Sequence, residues 1–168
     1  MANDRPKSNA PQIIVDDGSE RVSIVNKRGE EIGVFYFTPT DTGIIDRYAK
    51  MVADFDHIVE PLNSVNIAAD GTAAEDDADE MEALHEAERR LYAACNELFA
   101  GNFSEAFFGK INPFSPINGH FYVENALNAV GAFISDRFGR ETRKINARVE
   151  KYTHGYTART GKHSKGRR

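Results

Sequence analysis

The sequence predicts an α+β fold that is mainly α. An N-terminal antiparallel β-hairpin or three-stranded sheet packs on three or four amphipathic helices, and a disordered basic tail follows. Three observations lead there. Val22 and Ile24, then Ile32, Val34 and Tyr36, alternate with other residues at the period of a half-buried strand. From Ile44 onward the apolar residues recur every three or four positions, the period of a helix with one buried face. Eight of the eleven Phe lie between Leu98 and Phe138. Each ring can bury roughly 150–250 Å², so that segment must supply much of the core and lock helices together.

Taken in order, residues 1–11 are polar, carry Pro6 and Pro11, and read as a disordered arm. Residues 12–152 read as a single domain, and residues 153–168 as a disordered basic tail. Ile13-Ile14-Val15 runs into the turn signal Asp16-Asp17-Gly18-Ser19, which allows a first strand before the hairpin. Asn26-Lys27-Arg28-Gly29 suits the hairpin loop. A sheet this small is not stable alone and must lean on helices. Thr38 can cap a helix, Pro39 fits its first turn, and Asp41 suits its positive end. Ile44, Tyr48, Met51, Phe55, Ile58 and Leu62 then form a stripe, and Pro61 ends that helix near residue 60.

Asn63 to Asp79, with its acidic run Glu75-Asp76-Asp77, reads as a connector. The next helix is expected from about Asp77 to Ala100, with Met81, Leu84, Leu91, Cys95 and Leu98 on its inner face. Gly101 and Asn102 stop it, Ser104 can cap a short turn, and Gly109, Pro113 and Pro116 force a non-helical link. A final helix is expected from His120 to about Lys151. Its stripe is Val123, Leu127, Val130, Ile134, Phe138, Ile145 and Val149.

Chemistry-bearing motifs do not converge. There is no phosphate loop, no G-x-S-x-G, no H-E-x-x-H and no Cys–His pairing. The single Cys95 falls among apolar helix positions and reads as a buried thiol. Asp54, Asp56, His57 and Glu60 lie together, but no second His–carboxylate pair accompanies them, so they read as a solvated face. The chain is therefore expected not to be an enzyme, and no metal site and no cofactor are expected. No apolar run approaches the roughly 18 residues of a membrane span. Charge is divided sharply: residues 1–136 hold 10 Lys/Arg and 24 Asp/Glu, a net of −14, while residues 137–168 hold 11 against 2, a net of +9. Within that basic region, Arg143, Lys144, Arg148, Lys151, Arg159, Lys162, Lys165, Arg167 and Arg168, interleaved with Tyr and His, allow an alternative reading as a nucleic-acid-binding protein. The acidic body opposes it. A tail that pairs with the acidic segment of a second copy would instead favour a homo-oligomer.

The ordered set of motifs resembles the tail assembly chaperones of long-tailed phages that infect Gram-positive bacteria. A strand region enters a helix through Tyr36-Phe37-Thr38-Pro39-Thr40-Asp41, and a second helix ends in Leu98-Phe99-Ala100-Gly101 followed by Ala106-Phe107-Phe108-Gly109. A last amphipathic helix ends in the cluster Arg143, Lys144, Arg148, Lys151 and Tyr152. The likeness covers about residues 20–152 and departs at Ala100, where such proteins often carry Gly. It implies a chaperone in the host cytoplasm that coats the tape-measure protein and promotes assembly of tail-tube protein around it. Such a protein needs apolar helical surface rather than an active site. Phe99, Phe103, Phe107, Phe108, Phe114 and Phe121 are the candidate partner-binding side chains.

Overall fold

A computed structural model describes residues 10–64 and 78–160. The two alternating stretches pair as β1 (Glu20–Val25) and β2 (Glu31–Phe37), antiparallel, with Val22 opposite Phe35 and Glu20 opposite Phe37. The loop closes where Asn26 accepts the Gly29 amide and donates its own to Glu30, with Gly29 at φ +81°. No strand forms over Ile13–Val15, so the sheet is the two-stranded alternative. Asp16 and Asp17 instead accept the amides of Gly18 and Ser19, which closes a local turn ahead of β1.

The helix expected from Thr38 to residue 60 is replaced by three pieces: α1 (Gly43–Ala53), α2 (Phe55–Val59) and a 3₁₀ turn over Glu60–Ser64. Its start is delayed because Thr38 accepts the Asp41 amide in a turn, and Asp41 in turn accepts the Gly43 amide. Thr38 is therefore not the cap. The pieces separate at Asp54, which departs from helical geometry, and Pro61 removes an amide that a continuing α-helix would use. Of the expected connector Asn63–Asp79, Asn63 and Ser64 belong to the 3₁₀ turn and Ala78 and Asp79 begin the next helix, while residues 65–77, with Glu75-Asp76-Asp77, lie outside the described residues.

Next come α3 (Ala78–Phe99) and α4 (Phe103–Phe108). Between them Gly101 donates to Asn96 and Ala100 to Glu97, the reciprocal pair of a Schellman end, with Ala100 in the left-handed position at φ +49°. Then comes an element that spans the end of the expected non-helical link and the first two residues of the expected last helix. Pro116–Ile117 (β3) and His120–Phe121 (β4) form a miniature hairpin across Asn118-Gly119, both at positive φ. Asn-Gly is the strongest short hairpin signal. The last helix therefore starts at Tyr122, two residues after the expected His120, and runs to Thr160 as α5. Its backbone is helical to Thr160, nine residues past the expected end at about Lys151. Residues 161–168 of the basic tail, like residues 1–9 of the arm, lie outside the described residues.

The core sits where β2, α3 and α4 meet. Phe35 is its hub: its ring stacks on Phe37 at 4.2 Å and meets Phe99, Phe103 and Phe107 edge-on at 5.6–5.7 Å. Phe103 stacks on Phe107 at 4.4 Å, and Leu91, Cys95, Leu98, Val123 and Val130 close around them. Burial pushes the Cys95 thiol up to about 12, so it stays protonated at neutral pH.

Candidate functional site

The six candidate Phe divide into two groups. Phe99, Phe103, Phe107 and Phe108 are buried, so they hold the fold and offer no surface to a partner while it is intact. The sequence shows that these rings are abundant but not which way they point. Phe114 is half-buried and meets the exposed Phe121 edge-on at 6.0 Å, at the miniature hairpin. Only that pair remains available to an outside molecule.

The larger apolar surface is elsewhere, on α1 and its continuation. Ile44, Met51 and Ile58, seven residues apart, face the core. Ile45, Tyr48, Val52 and Phe55, spaced 3, 4 and 3, stand outward at 67%, 54%, 56% and 46% exposure, with exposed Ala49 among them. The sequence reading merges these into one stripe by joining Tyr48 and Phe55 to the inner set. A signal was present: two interleaved apolar series in one helix leave one of them facing water.

What holds this face in place is polar. Arg47 donates from Nε to the Leu98 carbonyl at 2.8 Å and pairs with Asp41 at 2.6 Å. It thereby satisfies a carbonyl in the last turn of α3 and sits at the negative end of that helix. The same Arg47 hydrogen bond, with help from the Gly43 amide, holds the Asp41 carboxyl below its ordinary range. Lys50 meets Glu97 at 2.6 Å, and Arg90 donates to the His57 carbonyl at 2.8 Å. α1 and α2 are thus pinned to α3 by cations on one side while the opposite side stays apolar and open.

Two further surfaces lie elsewhere on the molecule. A groove of about 500 Å³ runs between the hairpin tip and the start of α5, lined by Val25, Ile32, Ile111, Ile117, Tyr122 and Ala129 among others. Beyond Gly139, α5 is exposed at every position to Lys151, so Arg143, Lys144, Arg148 and Lys151 stand on a projecting helix. Arg159 continues that backbone, while Lys162, Lys165, Arg167 and Arg168 lie outside the described residues. Among the described residues no three His, Cys, Asp or Glu side chains gather as a metal-holding group, and no helix is long and apolar enough to cross a membrane. No protein-family model, curated protein or solved structure matches this chain.

Proposed function

We propose that this chain is a phage tail assembly chaperone that works by binding rather than by catalysis. In the host cytoplasm it holds an amphipathic segment of the tape-measure protein against the outer face of α1 and α2, and so promotes assembly of tail-tube protein around it. One observation carries the reading: Ile45, Tyr48 and Val52 on α1 and Phe55 at the start of α2 form an exposed apolar row on helices anchored to α3. Spacing of 3 and 4 is the pattern by which one helix recognises another. An exposed apolar row also carries an aggregation cost that a partner would relieve. The client's identity rests on the sequence resemblance alone.

Co-expression with a tape-measure fragment tests it. The wild-type chain should keep the fragment soluble and co-purify with it. Tyr48→Asp combined with Val52→Asp should abolish capture with no loss of melting temperature, because both side chains are already exposed. Capture that survives the double variant would place the client elsewhere, and a fragment that stays insoluble beside the wild type would remove the chaperone reading.

A further inference from the structure

The N-terminal arm and the hairpin edge are each incomplete, and each supplies what the other lacks. Ile13, Ile14 and Val15 are exposed at 97%, 94% and 76%, three consecutive β-branched residues with nothing packed on them. The sheet, meanwhile, has one covered edge and one open one. Asn102 covers β2, accepting the Tyr36 amide and donating to the Val34 carbonyl, both at 2.9 Å. Those groups therefore point away from β1. By the register that pairs Arg21 with Tyr36 and Ser23 with Val34, the main-chain groups of Arg21 and Ser23 point away from β2. Among the described residues no other strand pairs with them. Beneath this open edge lies an apolar cleft of about 180 Å³ lined by Val22, Ile24, Phe37, Val130 and Phe133 among others.

We infer that the segment Gln12–Asp16 of a second copy adds to β1 as an antiparallel strand, and that the exchange is reciprocal. One register satisfies every requirement at once. With Ile14 opposite Ser23, their amides and carbonyls exchange hydrogen bonds. Ile13 and Val15 then fall opposite Ile24 and Val22, on the face that overlies the cleft. Asp16 falls opposite Arg21, whose side chain forms no ion pair among the described residues, and Pro11 comes just beyond the strand, where a missing amide is harmless. The donor is a second copy because the chain's own arm leaves on the wrong side. Asp17 and Ser19 line a cleft with Tyr36, Thr38 and Ala100, and Gly18 lies against Thr38 and Thr40, at the end of β2 rather than beside the open edge of β1.

Two single-cysteine chains test the arrangement in a Cys95→Ala background: one carries Ile14→Cys, the other Ser23→Cys with a distinguishing tag. Both positions are exposed, so both chains should fold. On mixing and mild oxidation the expected result is a disulfide-linked heterodimer, at least ten-fold more abundant than from Ile14→Cys mixed with Ile45→Cys. Sedimentation of the wild type should show a dimer, and Ile13→Asp with Val15→Asp should shift it to monomer with its helical circular dichroism retained. A wild type that is monomeric at every concentration would overturn the inference. Equal cross-linking at Ser23 and Ile45 would do the same. A monomeric chain carrying both cysteines that closes an internal disulfide would show that the arm serves its own sheet.

Discussion

Ala100, Gly101 and Asn102 do three different jobs in three consecutive positions. Ala100 takes the left-handed conformation that ends α3, which suits Gly better because a Cβ there costs roughly 1–2 kcal/mol. Gly101 needs no unusual φ, but an added Cβ would collide with the Tyr36 carbonyl oxygen. Asn102 then presents its amide to β2 as if it were a neighbouring strand. Gly33 makes the same kind of approach from the sheet, since its missing side chain leaves room for the Ala106 carbonyl. The helix stop at Gly101-Asn102 was readable from sequence. That these residues stop the helix in order to meet a strand sixty-odd positions earlier was not, because a turn signal is local and its partner is distant. Opposite effects are expected at adjacent positions. Ala100→Gly should stabilise by about 0.5–1 kcal/mol, the relieved strain less the extra freedom Gly gives the unfolded chain. Gly101→Ala should destabilise by about 1–3 kcal/mol, as overpacking does. Chemical denaturation of the two variants checks the pair, and equal effects at both sites would show that the junction is not built this way.

At the level of whole elements, the periodic stretches were legible and their surroundings were not. The stripe of α3 went inside only over its second half: Leu91, Cys95 and Leu98 are buried, but Leu84 is half-buried and Met81, also read as inner, is 45% exposed. In α5 the same rule overreaches. Val123 and Val130 are buried and Ile134 is half-buried, but Ile145 and Val149 remain 50% and 51% exposed because the body ends before the helix does. A helical period reports a face that could be buried; it does not report how far the partner extends. The sequence reading carries the inner stripe of the last helix on through Ile145 and Val149, whereas every position from Arg140 to Lys151 is exposed. α5 spans 39 residues, about 58 Å at 1.5 Å per residue, and only its first half lies on the core. What fixes that half is Val123 and Val130 inside and, at its end, Arg137, which lies 4.5 Å over the Phe133 ring and pairs with Glu20 of β1 at 2.8 Å. A chain ended after Gly139 should therefore unfold cooperatively with stability within about 0.5–1 kcal/mol of the full chain, as surface changes do. Its circular dichroism should lose the helical signal of the removed segment. A chain that fails to melt cooperatively after this cut would show that the projecting helix is folded against the body.

The chain as a whole joins an acidic region, residues 1–136 at −14, to a basic one, residues 137–168 at +9. The two parts imply different responses to salt. Capture through Ile45, Tyr48, Val52 and Phe55 is apolar, and salt does not weaken the burial of apolar surface. A phosphate interface on Arg140, Arg143, Lys144, Arg148 and Lys151 would release counterions instead. A protein making 6–10 phosphate contacts loses about 10³–10⁵ in affinity between about 50 and 200 mM salt. The acidic region opposes a polyanion further, most strongly at the low end of that salt range, where screening is weakest. We expect client capture to change by less than about three-fold over that salt range, and binding to a labelled DNA or RNA duplex to stay weaker than about 10 μM throughout. Fluorescence anisotropy with each ligand in parallel titrations decides between them. Tight duplex binding that collapses with salt and disappears on truncation after Gly139 would assign the basic region to nucleic acid. Salt-insensitive client capture that survives the same truncation would leave the work to the outer face of α1.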